Sequence, residues 1–214
     1  MMNYFFYSLV VIAISLFLFF IIWRFVSQKR NIPCPSWLGW MIERDNPFTR
    51  LNQSAEIIKS LRLQSGMYVL DAGCGPGRIT IPVAKQVTAA GNVTAIDVQK
   101  EMLDLTKEKA QQAGLDNIDF VHAALGDGML EHNIYDRALL VTVLGEIPQQ
   151  KRALEEVFNA LKPGGILSIT ETIFDPHYQR IKNVRALAKK VGFTQKRIVS
   201  DFFSYNLMLE KPLS

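Results

Sequence analysis

The sequence predicts an α/β fold, in which a parallel sheet is covered by helices and preceded by one transmembrane helix. After Gly66, short β-branched runs alternate with helical stretches, a pattern typical of a parallel sheet. The first of these runs leads through the glycine-rich turn Gly73 to Gly77 directly into a helix. The chain also opens with a long apolar segment. These observations indicate a membrane anchor followed by a ligand-binding α/β domain.

The opening segment has the length and composition of a membrane span. No charged side chain occurs before Arg24, and residues 4–25 are almost wholly apolar. At a rise of about 1.5 Å per residue they reach about 33 Å, enough for a hydrocarbon layer of about 30 Å. A cleaved signal peptide or a buried helix is the alternative, but no basic start or small-residue cleavage site is present. Because Arg24, Lys29 and Arg30 follow the segment, we expect a single-pass protein with its folded domain on the cytoplasmic side.

The chain is predicted to divide into three parts. Residues 1–30 form the anchor and its basic flank, residues 31–50 an interfacial linker or lid, and residues 51–214 the folded domain. Pro33 and Pro35 prevent the first helix from continuing into the linker. Trp37 and Trp40 suit a membrane headgroup boundary, or alternatively pack on the domain as a lid.

Composition excludes several classes of protein. With 49% hydrophobic and 21% charged residues among 214, the chain is neither disordered nor collagen-like. The net charge of +4 comes from scattered basic residues and does not predict a nucleic-acid partner. Two cysteines, Cys34 and Cys74, occur in unrelated contexts, so we expect no disulfide scaffold and a reducing compartment.

Hydrophobic periodicity places the remaining elements. A helical period over residues 51–63 predicts a helix before the sheet. The predicted strands are residues 68–72, 92–97, 118–122, 137–143, 165–171, 196–200 and 207–211. The predicted helices between them are residues 77–87, 100–113, 149–161 and 179–191.

The glycine turn indicates a nucleotide-sized ligand. Glycine permits positive φ angles and lets the main chain approach a ligand closely. A dinucleotide fingerprint needs its third glycine at position 78, but that position is Arg78 and the glycine comes one residue early, at Gly77. A P-loop needs Gly-Lys-Ser/Thr, which does not occur in the sequence.

The turn resembles the first motif of the class I S-adenosylmethionine-dependent methyltransferases, an acidic residue followed by G-x-G-x-G. The resemblance covers roughly residues 51–211 and implies a Rossmann-like sheet, mostly parallel with an antiparallel last strand. It implies S-adenosylmethionine as cofactor and S-adenosylhomocysteine as product. Asp97 would accept the ribose hydroxyls, with Val98 and Met102 along the adenine. The cofactor-site residues it implies at the turn and the strand ends are Asp71, Gly73, Cys74, Gly75, Gly77, Asp97, Val98, Met102 and Thr142.

The segment after the third strand departs from the family pattern. Many relatives have Gly-Asp-Ala there, with the aspartate on the adenine amino group, whereas this chain has Ala123, Ala124 and Leu125. Asp127 follows three residues later and can substitute if the loop folds back. Ala124 and Asp127 are therefore predicted neighbours of the adenine.

Glu146 is the first candidate for a catalytic residue. It follows the fourth strand, where the family places groups that face the methyl acceptor, and can act as a base, orient an amine or cap the next helix. Glu171 and Tyr178 have weaker claims of the same kind. Cys74 at a helix start is more simply a small turn residue than a nucleophile. The three histidines lie too far apart for a recognised ligand spacing, so no metal site is expected.

The anchor favours a hydrophobic or lipid-like methyl acceptor, since such molecules concentrate in the membrane. A membrane-associated protein as acceptor, or a noncatalytic S-adenosylmethionine-binding membrane protein, is the alternative. No nucleic acid is expected as partner, because no Asn/Asp-Pro-Pro-Tyr/Phe motif follows the fourth strand. The sequence leaves the oligomeric state open.

Overall fold

The computed structural model describes residues 2–30 and 43–213. Within residues 2–30, side chains are described at positions 6–12, 14, 15, 18, 19, 21, 22, 24 and 26. The predictions for Trp37, Trp40 and most of the linker lie outside the described residues. The predicted division into anchor, linker and domain therefore stays a prediction.

The first helix, α1, spans Met2–Arg30. Its described apolar side chains, such as Phe6, Val11 and Phe19, are largely exposed. In the part of the chain that the structure describes, no helix has the length and apolar character needed to cross a membrane. The predicted transmembrane span is therefore not confirmed.

The rest of the described chain is an alternating series of strands and helices. After a 3-10 turn at Arg50–Asn52, the helices are α2 Ser54–Leu61, α3 Thr80–Val87, α4 Lys100–Gln112, α5 Gln150–Ala160 and α6 Ile181–Val191, with a second 3-10 turn at Leu144–Glu146 before α5. The strands are β1 Tyr68–Ala72, β2 Asn92–Asp97, β3 Ile118–His122, β4 Tyr135–Val141, β5 Leu161–Thr172, β6 Thr194–Ser200 and β7 Ser204–Glu210.

The strands form one seven-stranded sheet in the order β3-β2-β1-β4-β5-β7-β6. β7 lies antiparallel between β5 and β6, and the pairs from β3 to β5 are parallel. This confirms the predicted mostly parallel sheet with an antiparallel last strand. The chain winds outward in opposite directions from β1 and β4, so a ligand crevice is expected at the carboxyl ends of these two strands.

Apolar side chains cover both faces of the sheet. Leu70 of β1 belongs to a core with Leu154 of α5 and Val184 of α6. Val69, its neighbour, points to the other face and packs in a core with Ile57 of α2 and Val83 of α3. Because successive strand residues alternate between faces, both faces of β1 are buried, as expected for a central strand of a parallel sheet.

Three predicted boundaries are wrong for a local backbone reason. β4 ends at Val141 and not at residue 143, because Thr142 has a positive φ of 56° and turns the chain out of the sheet. α3 begins at Thr80 and not at residue 77, because Gly77 has a φ of 83°, which no α-helix contains. The predicted helix over residues 51–63 is likewise shorter, since Gln53 is extended and separates the 3-10 turn from α2.

Candidate functional site

The glycine turn is held against the neighbouring strand by its own backbone. The amide N–H groups of Gly73 and Cys74 both donate to the carbonyl of Ile96 in β2, at 2.8 and 3.1 Å. Gly73, Gly75 and Gly77 all have positive φ, at 79°, 53° and 83°. Such angles are unfavourable for residues with a Cβ, so the three glycines are required by the turn itself.

The three glycines differ in what surrounds them. A Cβ at Gly73 would collide with the Val143 side chain, and one at Gly77 would lie 2.8 Å from Cγ2 of Thr106. A Cβ at Gly75 would meet no protein atom within 4 Å. The first and third glycines thus allow the turn to pack, while the backbone at the second is open to a ligand.

Asp97 at the end of β2 faces this turn. One carboxylate oxygen accepts the Gly75 N–H at 2.9 Å and the other accepts the Gln99 N–H at 2.9 Å. Burial raises the pKa of Asp97, against the opposing effect of these two hydrogen bonds. Each oxygen retains a lone pair, so the carboxylate can still accept a pair of vicinal hydroxyls.

Asp71 lies deeper, in β1, and is 3% exposed. The Thr80 hydroxyl at the start of α3 donates to its carboxylate at 2.6 Å. Burial raises the pKa of Asp71 to about 6, with a smaller contribution from the nearby charge of Asp97. Asp71 therefore fastens the start of α3 to the end of β1, beneath the glycine turn.

Cys74 is a buried free cysteine within the turn. Burial, followed by the charges of Asp71 and Asp97, raises the pKa of its thiol. The lowering of a thiol pKa at a helix start does not apply, because α3 begins only at Thr80. The thiol is thus a small packed side chain of the turn and not a nucleophile, as the sequence predicts.

The residues predicted along the adenine are only partly brought together. Val98 follows Asp97 directly and is 53% exposed, whereas Met102 in α4 is buried. The loop after β3 lies beside them, because the Ala123 N–H donates to the Asp97 carbonyl at 3.2 Å. Ala124 is half-buried in this loop. Val98, Met102 and Ala124 thus surround the end of β2, and their adenine contacts stay a prediction.

Asp127 sits further along the same loop. Its N–H closes a turn on the Ala124 carbonyl at 3.3 Å, and its side chain is exposed. The loop thus folds back at Asp127, and its role on the adenine stays a prediction.

The opposite side of the crevice is built by the ends of β4 and β5. Thr142 donates its N–H to the Thr170 carbonyl at 2.9 Å despite its positive φ. Strained backbone of this kind is frequent at functional sites. The 3-10 turn that follows contains Glu146, whose carboxylate lies 3.7 Å from Nδ1 of His177. A Cβ at Gly145 would collide with the His177 carbonyl, so the turn and the segment after β5 are in close contact.

The segment after β5 also contacts α1, which sequence reasoning missed. The Arg24 guanidinium donates to the carbonyls of Ile173 and Asp175, at 3.0 and 2.9 Å. Arg24 was assigned only to the basic flank of the anchor. No sequence signal links it to residues about 150 positions away, because the acceptors are backbone carbonyls that any residue supplies.

Two ion pairs attach the segment before α2 to the glycine turn. Arg78 lies 2.7 Å from Asp45, and Lys109 lies 2.8 Å from Glu43 and donates to the Pro76 carbonyl. These four charged side chains border a cavity of about 350 Å³ beside Gly77. Residues 43–45 therefore contact the chain beside the glycine turn, and the predicted lid stays a prediction.

The arrangement fits an adenosine cofactor. The open backbone at Gly75 and the carboxylate of Asp97 lie on the same turn, joined by a hydrogen bond of 2.9 Å. A ribose held by Asp97 would direct its remaining groups along the turn toward the ends of β1 and β4. Asp71, the three glycines and Asp97 are the predicted cofactor residues that the structure brings together.

Comparison with known proteins gives the family. A methyltransferase domain model matches residues 63–206 of the chain. With the G-x-G-x-G turn, the β2 carboxylate and the antiparallel last strand in place, the chain belongs to the methyltransferase domain family. Its Rossmann-like sheet is the one found in S-adenosylmethionine-dependent methyltransferases.

Individual relatives agree with this assignment. A demethylmenaquinone methyltransferase of Listeria welshimeri is 32% identical over 117 residues, which are 55% of this chain and 50% of the relative. The chain thus spans about half the length of the curated relatives it matches.

Solved structures share the fold. A SAM-dependent methyltransferase of Aquifex aeolicus aligns with a TM-score of 0.70 at 25% identity, over 80% of this chain and 97% of that one. A phosphoethanolamine N-methyltransferase of Haemonchus contortus, solved with S-adenosylhomocysteine, aligns with a TM-score of 0.65 at 16% identity, over 75% and 52%.

Proposed function

We propose that this enzyme methylates a hydrophobic, quinone-like acceptor at a membrane surface, with its catalytic domain on the cytoplasmic side. The observation that carries the proposal is the contact of an apolar helix with the side of the crevice formed by the ends of β4 and β5. We call this side the acceptor side. Arg24 near the end of α1 binds the carbonyls of Ile173 and Asp175, directly after β5. The similarity to a demethylmenaquinone methyltransferase supports the same class of acceptor.

The apolar side chains of α1 surround the helix. Each residue turns an α-helix by ~100°, so positions 7, 9, 10, 11 and 12 already point in all directions. These positions are 39% exposed or more, and apolar. A helix that is apolar on every side needs a surrounding that is apolar on every side, which favours lipid over a groove on a single partner. The basic residues in the last part of α1, Arg24, Lys29 and Arg30, favour the cytoplasmic face.

The apolar surface continues from α1 to an aromatic cluster beside the crevice. Phe174 stacks on Phe203 with ring centroids 5.4 Å apart, and Phe202 packs edge-on against Phe203 at 5.0 Å. Phe202 is 84% exposed. Because Ile173 donates its N–H to the Phe203 carbonyl, the cluster and the segment bound by Arg24 are one surface. The cluster offers a hydrophobic acceptor an apolar surface beside the segment that Arg24 contacts.

S-adenosylmethionine supplies a methyl group already activated on a sulfonium. The protein therefore mainly aligns the acceptor and excludes water, contributions worth about 7–11 kcal/mol when the geometry is well held. Methylation of a ring carbon also releases a proton. Glu146 lies at the crevice within 3.7 Å of His177, and its carboxylate is the group we assign to accept that proton.

Labelled methyl transfer tests the proposed acceptor. Full-length protein is incubated with methyl-labelled S-adenosylmethionine and membranes, and label is counted in separated quinone, phospholipid and protein fractions. We expect label in the quinone fraction. The amount of label should fall by more than about tenfold in an Asp97→Ala variant, which no longer holds the ribose. Label confined to the protein fraction would instead establish a membrane-associated protein as acceptor and refute the proposal.

Carbonate washing tests the membrane association. We expect full-length protein to stay with membranes, and a variant with Ile14→Asp and Leu18→Asp to be released, because each buried acidic group costs about 2.5–3.5 kcal/mol in lipid. Gln111→Asp with Gln112→Asp, at exposed positions of α4, is the matched control and should change nothing. Release of the unmodified protein would refute the membrane assignment.

A further inference from the structure

Glu171 is a buried acid that folding alone does not account for. It is the last but one residue of β5 and is 1% exposed. One carboxyl oxygen, Oε2, accepts the Gln179 N–H at 3.1 Å. The other, Oε1, is buried and has no hydrogen-bond partner among the described residues. A buried polar atom left unsatisfied costs about 1–3 kcal/mol, so its retention calls for a reason outside the fold.

The surroundings of Glu171 favour its neutral form. Burial raises the pKa of Glu171 well above its ordinary value, and the charges of Asp175 and Glu146 raise it further. The hydrogen bond from Gln179 lowers the pKa; this effect is smaller than that of burial but larger than that of either charge. Since Oε2 already accepts a hydrogen bond, the proton of the neutral acid belongs on Oε1, the atom without a partner. Glu171 can therefore donate a hydrogen bond.

Glu171 also lies at the acceptor side of the crevice. The residue before it, Thr170, accepts the N–H of the strained Thr142 at the end of β4. Tyr205 is its direct partner across β7 and donates its hydroxyl to the Gln179 carbonyl at 2.8 Å. The ring of Tyr178 lies 6.1 Å from that of Tyr205. A neutral donor beside two aromatic rings suits a flat ring that has an oxygen substituent.

We propose that Glu171, as a neutral acid, donates a hydrogen bond from Oε1 to a ring oxygen of the methyl acceptor, and so selects phenols and quinols over plain hydrocarbons. This inference rests on the proposed function, which supplies a hydrophobic acceptor at this crevice. Glu171 acts by positioning the ring, whereas Glu146 takes up the released proton.

Binding measurements separate this role from a structural one. Full-length protein loaded with S-adenosylhomocysteine is titrated with 1-naphthol and with naphthalene, which differ only by the oxygen. We expect wild type to prefer 1-naphthol by about tenfold, the effect of one well-formed hydrogen bond. Glu171→Gln keeps an acceptor for Gln179 and a donor in place of Oε1, so its preference should stay within about threefold of wild type.

Glu171→Met removes the donor, so this variant should bind 1-naphthol and naphthalene with about equal affinity, and its affinity for naphthalene should be retained. Glu101→Met, at an exposed position of α4, is the matched control and should leave the preference unchanged. A Met variant that still prefers 1-naphthol, or a wild type that does not discriminate, would overturn the proposal.

An infrared spectrum provides a second readout if the Met variant fails to fold. The carbonyl band of protonated carboxyl groups at neutral pH should be weaker in Glu171→Gln than in wild type, and a band of unchanged intensity in that variant would overturn the neutral acid. Turnover is scored separately. Preference for 1-naphthol without methylation of any quinol would refute the proposed function while leaving the recognition by Glu171 in place.

Discussion

Replacing Asp97 by Asn tests the cofactor site, because the Asp97 carboxylate joins the glycine turn to the segment after β2. In the native protein the two carboxylate oxygens accept the N–H groups of Gly75 and Gln99, each at 2.9 Å. An asparagine has only one accepting oxygen, so its amide N–H₂ opposes one of these backbone donors. A buried donor left unpaired costs about 1–3 kcal/mol, and we expect a loss of stability of that order. The loss of the charge-assisted ribose contact should weaken cofactor binding by about 10- to 100-fold.

Calorimetry with S-adenosylhomocysteine measures the affinity, and urea unfolding measures the stability. Asp116→Asn makes the same chemical change at an exposed position before β3 and should leave both quantities unaltered. An Asp97→Asn variant that unfolds as expected but binds the cofactor within about twofold of wild type would show that the ribose contact is assigned to the wrong residue.

Two further predictions concern the first strand and its turn. Because burial raises the pKa of Asp71 from 3.8 to about 6, its neutral form is favoured in the folded state, and stability is lost as the pH rises from about 4 to about 6. Asp71→Asn keeps an acceptor for the Thr80 hydroxyl and does not titrate. Its free energy of unfolding, measured with urea at pH 4 and pH 6, should rise relative to that of wild type by up to about 3 kcal/mol between the two pH values. The same difference between variant and wild type at both pH values would contradict this. Gly77→Ala adds a Cβ 2.8 Å from Thr106 at a φ of 83°, whereas Gly114→Ala adds one at a φ of 65° with no neighbour within 4 Å. Both variants should lose about 1–2 kcal/mol of folding stability to backbone strain. Gly77→Ala should lose about 1–3 kcal/mol more, because its methyl group overpacks against Thr106. Equal losses of stability in thermal unfolding would refute the packing argument.

The sheet and the cofactor turn were predictable because their signals are local. A buried parallel strand requires a continuous apolar run, and the positive φ angles of the turn require glycine, so both are written in consecutive residues. The first three strands have the predicted bounds for this reason. The end of β4 was missed because Thr142 takes a positive φ that nothing in its own residue type predicts.

The acceptor side was much less predictable. Glu146, Glu171 and Tyr178 were named from their positions after strands, but the strength of the case for Glu171 depends on burial and on an unsatisfied oxygen. Neither can be read from sequence, since both depend on what packs around the end of β5. The attachment of Arg24 to the same segment is equally invisible, because its partners are backbone carbonyls.

Acceptor-dependent release of S-adenosylhomocysteine shows directly whether this methyltransferase acts on a hydrophobic ring compound. Full-length protein in lipid vesicles is given S-adenosylmethionine with and without 1,4-naphthalenediol, and the product is quantified over time. We expect release that requires the added quinol and that an Asp97→Ala variant reduces by more than about tenfold. Folded protein that binds the cofactor but gives the same release with and without the quinol would contradict it.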